Sequence, residues 1–383
     1  MTAERLSGMR NKALIAGAAA LAVTAAGMAA NPDQFWRSYL LGFLYWAGVP
    51  VGCLALLMLH HLVGGGWGIV IRRTLEAGTR TLPLVAVLIL PVLMNIPRLY
   101  LWAQPDKVAH DELLKHKAPY LNTPFFLGRT AFYFAVWMAL AWLLNKYSDG
   151  QEKSQSDGTW KPKLQLVSGL GLLLYGLTAT FASVDWVMSL DPHWFSTIYG
   201  VMFMVGGALT AMSFVIVVMS RLVRSEPMAA LMKPNHFHDL GNLMFAFVML
   251  WAYVSFSQYL IIWSGNLPEE IPWYLHRFHG AWGYVAVALL LFHFALPFVL
   301  LLLRTIKRKA QVLAAVAIGM LIMRLVDMAW VVTPSFHGEH ISLHWMDVTA
   351  PVGIGGLWVA FFLTQLSRRT LEPVEAHLLE GGH

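Results

Sequence analysis

Ten runs of apolar residues, each near the length that crosses a bilayer, dominate this chain. A helix rises about 1.5 Å per residue, so roughly 20 residues cover a hydrocarbon core of about 30 Å. The runs fall at about 12–30, 39–62, 82–103, 125–144, 166–186, 197–220, 239–264, 277–303, 310–332 and 346–366. Backbone groups facing lipid must bond within their own segment, which leaves helices or a closed barrel. The short alternating segments of a barrel are absent, so the expected fold is an all-α polytopic membrane protein. Composition agrees: 13% of residues are charged and 57% hydrophobic, whereas soluble domains carry about 25% charge. Such a chain could not cover a water-facing surface.

Mean hydropathy is +0.58 and the pI is about 9.4. A basic pI can signal nucleic acid, but here the cations track the membrane. With the N-terminus inside, nineteen of the 27 Lys and Arg fall in inner segments, namely before residue 13 and around 72–80, 146–163, 221–233, 304–309 and 368–369. Four fall outside: Arg37, Lys107, Lys115 and Lys117. The positive-inside rule then places both termini in the cytoplasm. Removing one internal run would put basic loops on both sides, so count and orientation support each other.

The first run, Ala13–Ala30, is long for a signal-peptide core and reads as an uncleaved helix. The polar stretch Ser148–Gly158 reads as part of a flexible cytoplasmic linker over 148–165. It divides one integral membrane domain, 1–383, into helices 1–4 over 12–147 and helices 5–10 over 166–367, with a tail at 368–383. The one cysteine, Cys53, excludes an intrachain disulfide and any multi-cysteine cluster within this chain.

Ionisable groups inside spans are costly and face a bundle interior or a cavity. Helix direction gives each a depth. Near the outer face lie Asn95, Arg98, Arg129, Asp185, Arg277, His279, Arg324 and Asp327. From the inner side come His60, His61, Asp239 and Asn242, followed by Ser255, Gln258, Tyr259 and His293. Arg324–Asp327, Asn95–Arg98 and Asp239–Asn242 are i,i+3 pairs, so each shares a helix face. Pro91 and Pro97 should kink the third helix.

Two readings compete for every one of these. Arg324–Asp327 can be a helix-locking ion pair, Asp239 a helix cap, and Arg98, Arg129 and Arg277 interfacial snorkels. Taken together, polar groups that enter from both faces and thin out between suit two proton half-channels. The candidates for that path are Asp185, Asp239, Asn242, Ser255, Gln258, Tyr259, His279, His293, Arg324, Asp327 and His60. A quinone head group near the outer face could instead be held by Arg98, Arg129, His279, Asp185 and Asp327. His279 and His293 are 14 apart, a spacing that can serve two haems, but no second pair exists among the 15 histidines at separations of 13 or 14. No haem or metal site is therefore expected here. The phosphate-binding loop of ATP-driven transporters is also absent.

Four strings are distinctive: LHHLVGGGWGIVIRRTLE at 59–76, KAPYLNTPFFLGRTAFYF at 117–134, SVDWVMSLDPHWFSTIYGVMFMVGG at 183–207, and HDLGNLMFAFVMLWAYVSFSQYLIIWSGNLPEEIPW at 238–273. They resemble the ActF-like membrane subunit of bacterial alternative complex III, an NrfD/PsrC-like protein, and the likeness runs through most of the chain from about residue 40. The resemblance implies two four-helix bundles, helices 2–5 and 6–9, flanked by helices 1 and 10. It implies a place in the bacterial inner membrane, within a quinol:cytochrome c oxidoreductase. Haem c and iron–sulfur clusters would sit on partner subunits, and the better-supported quinol site on an ActC-like paralogue. A terminal cytochrome oxidase is a further implied partner.

The expected function is thus a subunit without redox centres, contributing a proton path and scaffold to quinol oxidation. Direct quinol binding and a stand-alone secondary transporter are the alternatives. The four-plus-six division gives no simple repeat of the kind transporters carry.

Overall fold

The computed structural model describes residues 3–154, 157–337 and 344–371, and every regular element among them is helical. The long elements are α1 (Ala3–Gly27), α2 (Pro32–Val63), α3 (Gly66–Met94), α4 (Thr123–Ser154), α5 (Asp157–Trp186), α6 (Tyr199–Leu222), α7 (Pro234–Gly265), α8 (Gly280–Leu302), α9 (Ala310–Val332) and α10 (Met346–Leu366). Nine helices among the described residues are long and apolar enough to cross a membrane. The chain is accordingly an all-helical, multi-pass membrane protein. α1 is not one of the nine.

Local chemistry sets the ends of these helices. α2 starts where the Asn31 side chain accepts the Gln34 amide at 3.1 Å, with Pro32 in the first turn, satisfying a donor the helix leaves orphaned. It stops at Gly64, whose φ of 71° suits a residue without Cβ. α3 is segmented, as its prolines require. Leu82–Leu88, Leu90–Met94 and the following Ile96–Leu99 each carry Pro83, Pro91 or Pro97 in the first turn, where the missing N–H costs nothing. α8 contains a π-helical turn, Leu289–Ala295, a form that concentrates at functional sites.

α2 is the hub, packing on α3, α5, α6 and α10. α4 packs on α5, α6 on α7 and α9, and α8 on α7 and α9. Polar side chains tie these apolar contacts together. Tyr45 donates to the Leu321 carbonyl at 2.9 Å, Trp46 to Pro351 at 2.7 Å and Ser38 to Asp347 at 2.6 Å. Lipid offers no hydrophobic drive between helices, so close packing and such bonds, about 0.6 kcal/mol each, carry the association. α1 lies against α10 with backbones nearly touching: a Cβ on Gly17 would meet the Leu357 nitrogen at 2.7 Å. Thr24 and Thr349 share a hydrogen bond of 2.8 Å across this contact.

Two segments differ from the sequence expectation. The third helix begins at Gly66 rather than 82, because Arg72 and Arg73 pair with Glu76 and Glu152 and can be buried. The stretch assigned to a linker is helical through Ser154 and again from Asp157. Of the tail at 368–383, residues 372–383 lie outside the described residues.

Candidate functional site

Three buried polar centres are built into this frame. The first joins α3 to α4. Glu76 is 1% exposed. Its carboxylate accepts from Arg72 at 3.1 Å, Arg73 at 2.9 Å and Ser148 at 2.5 Å. Arg80 and Arg369 stand at 3.6 and 3.5 Å. Gln151 accepts from Arg72 at 2.7 Å, Asn145 from Arg80 at 2.7 Å, and Glu152 pairs with Arg73 at 3.0 Å. Four arginines thus close on one carboxylate. The sequence expectation used Arg72, Arg73 and Arg80 only as topology markers and missed Glu76, although the i,i+4 and i,i+3 spacings from Arg72 and Arg73 to Glu76 carried the signal.

The second centre joins α4 to α5. Asp185, fully buried, accepts both arms of Arg129 at 2.8 and 2.9 Å and the Tyr133 hydroxyl at 2.6 Å. Arg129 also donates to the Tyr120 carbonyl at 2.9 Å and lies over the Tyr120 and Phe125 rings. A bidentate, ring-sandwiched guanidinium is a fixed brace. Arg129 is therefore no interfacial snorkel.

The third centre lies among α7, α8 and α9. Arg324 and Asp327 are paired and buried, as their spacing predicts. Arg324 approaches the Thr210 hydroxyl at 3.4 Å. Its guanidinium occupies the space over Gly206, where a Cβ would lie 2.2 Å from Nη2. His293 emerges from the π-turn, fully buried, and neither ring nitrogen has a hydrogen-bond partner. Its ring packs on Trp251, centroids 4.0 Å apart, and Trp251 and Asp327 line one cavity. Asp327 opens into a cavity of about 470 Å³ walled by Trp251, Tyr259, Tyr274 and Trp330, with Ser255 on its lining. The Ser255 hydroxyl is buried and unpartnered. On the rim Tyr253 and Phe256 are exposed, facing outward from α7. The cavity is large enough for one planar ring, and its polar groups, Asp327 and Ser255, can hold water locally.

The remaining candidates are dispersed. Gln258 accepts from Ser196 at 3.0 Å and donates to Tyr274 at 3.3 Å, next to the cavity wall. Asp239 is exposed beside His238, and the helix is capped at Lys233 instead. Asn242 accepts from Lys307 at 2.6 Å. His60 is buried against His61 and Trp67 at the end of α2. His279 is exposed at the foot of α8, and its Nδ1 bonds the Leu275 carbonyl. Asn95 donates to the Pro91 carbonyl, whereas Arg98 pairs at the surface with Asp33 at 3.1 Å, so these two do not join. Arg277 is buried over Trp273 and donates to the Trp273 and Val331 carbonyls; it does not snorkel. Of the five quinone candidates, Asp327 alone faces the large cavity. No trio of His, Cys, Asp or Glu among the described residues is arranged for a metal ion.

No family model matches the chain, and no curated protein matches it.

Proposed function

We propose that this chain is the ActF-like, redox-inactive membrane subunit of an alternative complex III, and that it exchanges protons at the centre formed by Arg324, Asp327 and His293. One observation carries the proton role: Asp327, buried and paired with Arg324, opens into a cavity whose wall includes Trp251, and the far side of Trp251 packs on His293, a fully buried imidazole without a hydrogen-bond partner. A buried polar group without a partner is costly, and intramembrane His and Asp mark proton relays. The four strings at 59–76, 117–134, 183–207 and 238–273 support the family assignment. Ten spans, bundles of α2–α5 and α6–α9, an inner-membrane location and both termini in the cytoplasm belong to the same proposal. So do the haem c, iron–sulfur and ActC-like partners, and quinol as the substrate of the complex. The assignment is tested by mild-detergent purification of the tagged chain from its native membrane. Haem c and iron–sulfur subunits should co-elute in fixed ratio; elution as a lone protein would overturn the assignment and favour a transporter.

A second reading rests on the cavity itself. Its aromatic walls, outward rim and single carboxylate suit a quinol ring that donates its proton to Asp327. A photoreactive quinone should then label α7 or α9. Labelling confined to the ActC-like partner would exclude it.

A further inference from the structure

The basic end of the molecule carries a second large hollow, about 760 Å³, between α3, α4 and α10, closed on one side by Trp160 of α5. One stripe of α4 builds it: Met138, Ala141–Trp142, Asn145–Lys146, Asp149–Gly150 and Lys153 recur at helical spacing. From Met138 to Lys153 the stripe climbs about 22 Å at 1.5 Å per residue. Its character changes along that climb. Leu82, Pro83, Met138 and Phe361 make the deep end apolar, while Lys146, Lys153, Arg368 and Arg369 crowd the other.

Among the described residues only one of these four cations meets a carboxylate. Arg369 pairs with Asp149 and also approaches Glu76. Lys146, Lys153 and Arg368 have no carboxylate partner among the described residues; Lys146 lies over the Trp142 ring at 4.6 Å and Arg368 reaches the Gln365 side chain at 3.4 Å. Like charges gathered in a partly enclosed hollow repel one another, so an anion there lowers the energy of the whole group. The hollow is also held open. Trp160 donates to Ser154 at 2.8 Å and packs on Gly150, and Asn145 is fixed by Arg80, Thr79 and the Ala141 carbonyl.

We propose that this hollow binds one anionic phospholipid, its phosphate among Lys146, Lys153 and Arg368 and its acyl chains along Pro83, Met138 and Phe361. A free phosphate would use the cations and leave the apolar half empty; a zwitterionic lipid would fill the apolar half and place its own cation among three others. Basic recesses between spanning helices at the cytoplasmic face are suited to such head groups, and this is the face that the Lys and Arg distribution assigns to the cytoplasm.

The test is native mass spectrometry of the chain, in its complex, after delipidation and titration with cardiolipin, phosphatidylethanolamine or inorganic phosphate. Cardiolipin should remain as a one-to-one adduct and the other two should not. Each lost charge removes about a factor of five, so Lys146→Gln, Lys153→Gln and Arg368→Gln together should weaken retention on the order of a hundredfold. The charge-retaining Lys146→Arg, Lys153→Arg pair should keep the adduct, which separates lost charge from lost folding. Unchanged retention in the triple variant, equal retention of phosphatidylethanolamine, or displacement by millimolar phosphate would each overturn the proposal.

Discussion

Replacing Glu76 by Gln preserves its shape and removes its charge. The carboxylate is 1% exposed, so no solvent screening discounts the change. Removing one partner of a buried ion pair costs about 3–5 kcal/mol, because the opposite charge is left buried and uncompensated. Here Arg72 keeps Gln151 and Ser148, Arg73 keeps Glu152, Arg80 keeps Asn145 and Arg369 keeps Asp149. These second partners place the loss near the lower end, about 3 kcal/mol. Reversible SDS unfolding of the reconstituted protein, followed by circular dichroism, measures it. Adding Arg72→Met to Glu76→Gln removes the buried guanidinium that Glu76 had paired and should recover about 1 kcal/mol or more. A loss below about 1 kcal/mol for Glu76→Gln, or no recovery in the double variant, would refute the view that this carboxylate holds the arginine cluster together.

Further outcomes follow from the other contacts. Asp185→Asn breaks the bidentate contact with Arg129 and should destabilise the α4–α5 pair by about 3 kcal/mol in the same assay, leaving any proton-to-electron ratio unchanged. Gly17→Leu drives a side chain into the α10 backbone and should release α1, read as loss of a disulfide engineered between Thr24→Cys and Thr349→Cys. Between α5 and α6, the His193 ring donates to Asp111 of the loop before α4 at 2.6 Å. That bond, with the Leu114 and Leu113 amides, holds the Asp111 carboxyl below its ordinary value of 3.8. A depressed carboxyl stabilises above its ordinary value and loses that contribution as pH falls through the depressed one. Protease resistance of the 105–117 loop should therefore be flat near neutral pH and fall only below 3.8.

Much of the architecture is legible because lipid imposes it. Runs of about twenty apolar residues leave few alternatives, and Pro91 and Pro97 announce the breaks at the end of the third helix. What depended on distant partners was hidden. Asp185 meets Arg129 across 56 positions, and no local spacing links them. Arg324–Asp327 was visible because both lie on one helix face. Glu76 escaped because hydropathy treats a charged turn as a loop, although mutual neutralisation lets it be buried. His60, Asp239 and His279 face neighbours outside the central group, and depth alone does not report direction. The π-turn that aims His293 inward leaves no periodic mark in the sequence.

The proton role of the Arg324–Asp327–His293 centre is tested most directly by the number of protons released per electron in liposomes carrying the whole complex with Asp327→Asn. Quinol oxidation should persist, while the ratio falls toward the value set by quinol chemistry alone, and His293→Gln should lower it independently. An unchanged ratio in both variants would contradict the account and leave the centre as a structural lock among α7, α8 and α9.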